Sequence, residues 1–271
     1  MLTVAVTGAS GFIGNCLVLR LHTNGGCDVL PISRSGNENM IIKVDDYRNA
    51  LPADVLVHLA ENSNRHSVNS AGEACVDEAT KVLDSLLAKK YSKFIYCSSA
   101  VVYGDMGDRP YTECSPAKPV DSYTKLKLTN EQKVLNAGGI VVRFTNIIGM
   151  GMSKNNVLSD ILSQLDSHGS VTIRDGSPVR DFMWQEDAAS ALELLVFDGE
   201  PGIYNVGTGI GTSIECLAEM VLDISADTRC VKSEAINQSS SYNVVDIGKM
   251  KNLYRWSPSF TLNQSLRLMM A

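Results

Sequence analysis

The sequence predicts an α/β protein, a doubly wound parallel sheet with a small C-terminal lobe. Three observations lead there. Short apolar runs alternate with helix-length amphipathic segments through the first half of the chain. A glycine-rich turn, Gly8 to Gly14, sits directly between the first apolar run and the first helical segment. After Gly149 the rhythm breaks into Gly-, Ser- and Asn-rich connections with shorter elements. A length of 271 residues with 44% hydrophobic content suits one large domain plus a small lobe.

Taken in order, Leu2–Thr7 reads as a first strand and Phe12–Asn24 as a helix. Residues 28–32 form a second strand and 40–44 a short third. Residues 54–60 (DVLVHLA) are a buried fourth strand, followed by a helix over 71–90. Residues 94–97 make a fifth strand, Ser122–Asn136 a long helix, and 140–143 a sixth strand. A helix over 186–197 and a strand over 203–206 are expected to return to the main sheet. No internal repeat or low-complexity tract interrupts this pattern.

Composition narrows the function. A net charge of −6 argues against a nucleic-acid surface, which needs a basic stripe. No apolar run approaches the roughly 18 residues of a membrane span. The opening MLTVAVTG lacks the basic start and apolar core of a secretion signal. Seven scattered cysteines without a CxxC pair read as reduced thiols, so a cytoplasmic protein with no disulfide framework is expected. None of the four histidines forms a ligand pair at helical spacing, and no metal site is expected.

The turn Gly8-Ala9-Ser10-Gly11-Phe12-Ile13-Gly14 has the strand–turn–helix context of a dinucleotide site. Glycines allow the tight turn and close approach to a pyrophosphate, and the helix start offers free N–H groups. This makes the fold Rossmann-type, with Leu59 and Ala60, at the end of strand four, assigned to the same site. Residues 1–149 with 186–209 are then the dinucleotide-binding domain, and 150–185 with 210–271 a substrate-binding lobe. A carboxylate ending strand two would bond the ribose 2′-hydroxyl of NAD, whereas arginine can hold the 2′-phosphate of NADP. Here strand two runs into Ser33-Arg34-Ser35, with no carboxylate until Glu38. NADP is favoured over NAD, the alternative being that Arg34 is merely solvated. Asp45 could accept from the adenine amino group, or simply end strand three.

Tyr123 and Lys127 are four residues apart on a predicted helix, hence on one face. A phenol with a pKa of about 10 is a poor base at neutral pH. A nearby ammonium favours its ionised form, which lets it take a proton from a carbinol or return one to a ketone. Ser99, where strand five ends, would hydrogen-bond the same oxygen; Ser98 competes for that role.

These segments resemble the extended short-chain dehydrogenase/reductases. TGASGFIG at 7–14, DVLVHLA at 54–60, SSAVVYG at 98–104 and Tyr123-x-x-x-Lys127 carry the likeness. RFTNIIG at 143–149, RDFMWQED at 180–187 and IYNVGTG at 203–209 extend it over nearly the whole chain. Within that group the sequence is most similar to the NAD-dependent epimerase/dehydratase family of nucleotide-sugar enzymes. The resemblance implies that Ser99 is the catalytic hydroxyl and that Lys127 also bonds the nicotinamide ribose. It implies that Asn146 and Arg180 lie near the diphosphate of a nucleotide-sugar substrate. Tyr103 either lines the sugar pocket or packs as an ordinary aromatic. Asp187 reads as a helix N-terminal residue. The helices over 71–90 and 122–136 are where this family commonly forms a homodimer.

Two departures stand out. Many nucleotide-sugar epimerases carry a second arginine where this chain has Asn237-Gln238-Ser239-Ser240-Ser241. A dehydratase of this family would place Asp and Glu directly after the catalytic hydroxyl, where this chain has Ala100 and Val101. Dehydration is therefore disfavoured. Reduction of a 4-keto nucleotide sugar by NADPH is the expected activity. The alternative is a 4-epimerase with tightly bound NAD; a non-catalytic NADP sensor would be expected to have lost Tyr123 or Lys127.

Overall fold

The computed structural model describes residues 1–35, 40–235 and 241–271; Glu38 and residues 237–240, named above, lie outside the described residues. The chain runs β1 (Leu2–Thr7), α1 (Phe12–Asn24), β2 (Cys27–Ser33), β3 (Ile42–Lys43), β4 (Val55–His58), α2 (Arg65–Ala71), α3 (Glu73–Leu87), β5 (Lys93–Ser99), α4 (Ser122–Asn136) and β6 (Ile140–Phe144). It continues through β7 (Asn146–Ile148), α5 (Val157–Ser163), β8 (Val171–Asp175), β9 (Val179–Arg180), β10 (Phe182–Trp184), α6 (Gln185–Asp198) and β11 (Gly202–Val206). The last elements are β12 (Thr212–Ser213), α7 (Ile214–Ile224), β13 (Val231–Ala235), β14 (Tyr242–Asn243), α8 (Gly248–Tyr254) and α9 (Leu262–Met270).

Seven strands form one parallel sheet in the order β3-β2-β1-β4-β5-β6-β11. The fold is the expected doubly wound one. From β1 the chain first builds outward through β2 and β3, then crosses to β4 on the other side. That reversal opens a crevice at the carboxyl ends of β1 and β4, where such sheets bind ligands.

Side chains alternate across the sheet with a period of two. Val4, Val6 and Val57 join Leu17 and Leu21 of α1 and Leu192 of α6 in one core. Ala5, Leu56 and Tyr96 face the opposite way, into a core with Leu83 and Leu86 of α3 and Val134 of α4. Because both faces are covered, every residue of β4 and β6 is buried. A separate apolar core gathers Leu158, Val171, Trp184, Leu217 and Leu266, all after Gly149. Met250 and Trp256 of the late chain return to the main core instead.

Two elements differ from expectation. The helix expected over 71–90 is α3, trimmed to Glu73–Leu87, and an unexpected helix, α2, precedes it; the two meet at Gly72, whose left-handed φ of 64° lets it end α2 and start α3. The α2 start is set by Asn64, whose side chain accepts from the Ser67 N–H at 2.8 Å. The third strand shrinks from five residues to Ile42 and Lys43, which pair only with the end of β2.

Candidate active site

The crevice begins at the glycine turn. Gly8 has φ 74°, and a Cβ there would lie 3.0 Å from the Ala60 nitrogen and the Leu59 carbonyl carbon. A Cβ on Gly14 would lie 2.1 Å from the Gly8 carbonyl oxygen. The turn, Leu59 and Ala60 are thus one packed unit, and only glycine fits at both positions. Gly11 caps α1 with no side-chain hydrogen bond, leaving the N–H groups of the first turn, at Phe12, Ile13 and Gly14, available to an anion. Ser10 Oγ lies 2.5 Å from Ser33 Oγ, tying the turn to the end of β2. Ser33 is buried, whereas Arg34 is exposed with its guanidinium 5.1 Å from the Tyr47 ring centroid. Asp45 is exposed just after β3. An uncapped helix start beside a turn with no room for side chains suits a dinucleotide pyrophosphate. Thr145 Oγ1, at the far end of the crevice, is buried without a hydrogen-bond partner and suits a polar ligand group there.

The residues expected to carry chemistry converge on one cavity of about 370 Å³. Ser99, Tyr123, Asn146 and Arg180 all line it. Ser99 ends β5 and caps the short turn over Ala100–Tyr103. Ser98 points away, its Oγ donating to Glu131 at 2.5 Å in the interior. Of the two serines, Ser99 is the one that lines the cavity. Tyr123 is the second residue of α4, its backbone N–H donating to Asn69 Oδ1 at 2.9 Å. Lys127 lies one turn on, its Nζ 5.7 Å from the Tyr123 ring centroid.

Tyr103 does not line this cavity. It is buried, stacks on Tyr111 with centroids 5.1 Å apart, and donates to Asn205 Oδ1 at 2.7 Å. Of the two readings offered by sequence, it takes the packed-aromatic one. Asn146 donates to the Asp181 carbonyl at 3.1 Å. Arg180 is braced by Ser241, with Nη2 2.7 Å from its Oγ, and lies 3.7 Å from Asp105. Ser241 is the described end of the segment that lacks the second arginine. Asp187, in the first turn of α6, accepts from the Ser259 and Phe260 N–H groups and so anchors the late chain.

Several charged residues around the site were not singled out from sequence. Lys127 Nζ lies 2.6 Å from Glu61 Oε2 and donates to the Cys97 carbonyl at 3.1 Å. Burial alone would pull this ammonium down, but Glu61 outweighs it and holds the pKa above the usual lysine value. In the interior Arg143 of β6 makes a two-pronged pair with Glu131 of α4, both buried. Arg65, at the cavity wall, donates through Nε to Asp121 at 2.6 Å. Asp121 caps α4 and also accepts from Thr124 and Asn69. Burial would raise its pKa, but these donors outweigh that and lower it to about 2. One signal was legible: Tyr123, Lys127 and Glu131 recur every fourth residue, marking a single helix face.

The NAD dependent epimerase/dehydratase family model matches residues 4–207. The chain belongs to that family. Members act with a nicotinamide dinucleotide on nucleotide sugars, so the chain is an NAD(P)-dependent enzyme of the epimerase, dehydratase and reductase group. Among its relatives is a dTDP-6-deoxy-L-talose 4-dehydrogenase (NAD(P)(+)) of Kitasatospora kifunensis, 26% identical over 97% of this chain and 93% of that one. A putative UDP-glucose 4-epimerase of Methanocaldococcus jannaschii is 27% identical over 97% of this chain and 96% of that one. In fold, the family member resembles the RMD protein of Pseudomonas aeruginosa, solved with NADPH. The TM-score is 0.86 and the identity 24%, over 100% of this chain and 98% of that one. A UDP-glucose 4-epimerase of Thermotoga maritima, solved with UDP-glucose, also gives a TM-score of 0.86. Its identity is 21%, over 98% of this chain and 97% of that one. Among the described residues no helix is long and apolar enough to cross a membrane.

Proposed function

We propose that this family member reduces a 4-keto nucleotide sugar, using NADPH as an exchangeable reductant. The observation that carries the reading is the end of β2. A buried Ser33 and an exposed Arg34 over the Tyr47 ring stand where an NAD site would place a carboxylate. The guanidinium and hydroxyls there suit a 2′-phosphate and remove the repulsion a carboxylate would bring. Residues 150–185 and 210–271, apart from the stretch around Met250 and Trp256 that packs on the main core, would form the substrate lobe, with Asn146 and Arg180 toward the diphosphate.

The cofactor, when bound, supplies the hydride. Tyr123 gives its phenolic proton to the carbonyl oxygen and is recharged from solvent through the open cavity. Ser99 donates a hydrogen bond to the same oxygen and fixes its direction. Lys127 keeps a positive charge under the phenol while that proton leaves. Ala100 and Val101 follow Ser99 in place of an acid pair, so no group there can remove a second proton and expel water.

The 4-dehydrogenase relative supports chemistry at C4, since its reverse direction is ketone reduction. The epimerase relatives keep a second reading open, in which NAD stays bound and the hydride returns to the opposite face. A panel of 4-keto and 4-hydroxy nucleotide sugars, followed by the absorbance of the reduced cofactor, tests the proposal. NADPH oxidation with a 4-keto sugar is expected; its absence across the panel would remove the reading.

A further inference from the structure

We infer that Glu61 is a positioning residue that keeps Lys127 charged and aimed at the tyrosine–serine site; the inference rests on the catalytic reading of Tyr123 and Lys127. Lys127 and Glu61 have side chains only 5% and 4% exposed, so neither charge is served by water. Glu61 Oε2 takes the ammonium at 2.6 Å and the Tyr96 hydroxyl at 2.7 Å, while Oε1 takes the Asn130 amide at 2.7 Å. Both carboxylate oxygens are thus satisfied, and Asn130 is itself held by Thr80 of α3 at 3.1 Å. The arrangement joins the loop after β4, strand β5 and helices α3 and α4 around one cation.

A buried ammonium without this partner would lose its proton to escape desolvation. The other titratable groups facing it cannot replace Glu61. His58 of β4 is kept neutral by burial, which pulls its pKa to about 4. Burial pushes the Cys97 thiol up to about 12 and the Tyr96 phenol well above its usual value, so both stay uncharged. Tyr123, on α4 itself, is the group the ammonium serves. Glu61 is therefore the single anion among the described residues that touches Lys127.

The test compares wild type with Glu61→Gln, in melting temperature and in turnover, from about pH 6 to about pH 9. With Gln, the folded-state pKa of Lys127 falls below its unfolded value. The variant then gains stability as pH rises, because the unfolded chain binds the extra proton. Its melting deficit should shrink toward pH 9 while its turnover falls about tenfold per pH unit above the same midpoint. Wild type should show neither change. A melting deficit and a turnover ratio both constant with pH would overturn the inference.

Should Glu61→Gln fail to fold, Lys127→Met carries the mirror test. Its unpaired Glu61 should make the protein more stable as pH falls toward about 5, and no such gain would contradict the pairing. The melting measurements need no substrate, so they remain readable if the 4-keto sugar assignment fails.

Discussion

The Lys127 ammonium lies 5.7 Å from the centroid of the Tyr123 ring, one helical turn away on the same face of α4. This places a positive charge under the phenol while leaving its hydroxyl end to the cavity it shares with Ser99. Tyr123→Phe should therefore leave cofactor affinity nearly intact and lower turnover by about 10² to 10⁴, the range for losing a positioned acid or base. Lys127→Met should weaken both cofactor binding and turnover. Titration of NADPH by fluorescence, set beside kcat, separates the two, and full activity in Tyr123→Phe would sink the proton-transfer assignment.

If Arg34 holds a 2′-phosphate, NADP(H) should bind more tightly than NAD(H). Arg34→Ala should erase a difference of about 1.5–3 kcal/mol, one to two powers of ten in Kd. Ser33→Asp should reverse the preference by adding a carboxylate at the end of β2. Equal affinity of the unaltered protein for both dinucleotides would contradict the assignment.

The buried Arg143–Glu131 pair should be structural. Removing one member of a buried, hydrogen-bonded pair costs about 3–5 kcal/mol, because the other charge is left unpaired. Glu131→Gln should therefore lower the midpoint of urea unfolding strongly, and Arg143→Met/Glu131→Leu should recover part of the loss. A single variant as stable as wild type would show that the pair carries no such load.

The depressed pKa of Asp121 gives a definite pH dependence. A carboxylate whose folded pKa is about 2, below its unfolded value near 3.9, stabilises the fold above about pH 4. That contribution is lost as pH falls through about 2. Asp121→Asn keeps a capping side chain but cannot titrate, so its acid unfolding curve should be flatter over this window than that of wild type. Parallel curves would place the acid sensitivity elsewhere.

The succession of strands along the chain and the glycine turn were legible because they rest on local patterns: short apolar runs, and glycines at a strand–helix junction. Ser99, Tyr123, Asn146 and Arg180 were legible because motifs mark them, and they line one cavity. Helix α2 was harder, since its seven residues, Arg65 to Ala71, carry a single buried apolar side chain, Val68, and so show no helical period. Glu61, Arg65 and Tyr103 were beyond local reading. Whether each faces a cavity, an ion partner or a packed ring depends on contacts across 35 to 102 positions, such as Glu61 with Tyr96 and Tyr103 with Asn205.

If this chain exchanges its cofactor and reduces a ketone, the contents of the purified protein will reveal it. The protein is denatured, the released dinucleotide is measured, and 4-keto nucleotide sugar is assayed with and without added NADPH. Little released dinucleotide is expected, with NADPH consumed in step with sugar reduced. Near-stoichiometric NAD in the released fraction, with sugar interconversion needing no added cofactor, would contradict it and make the enzyme a 4-epimerase.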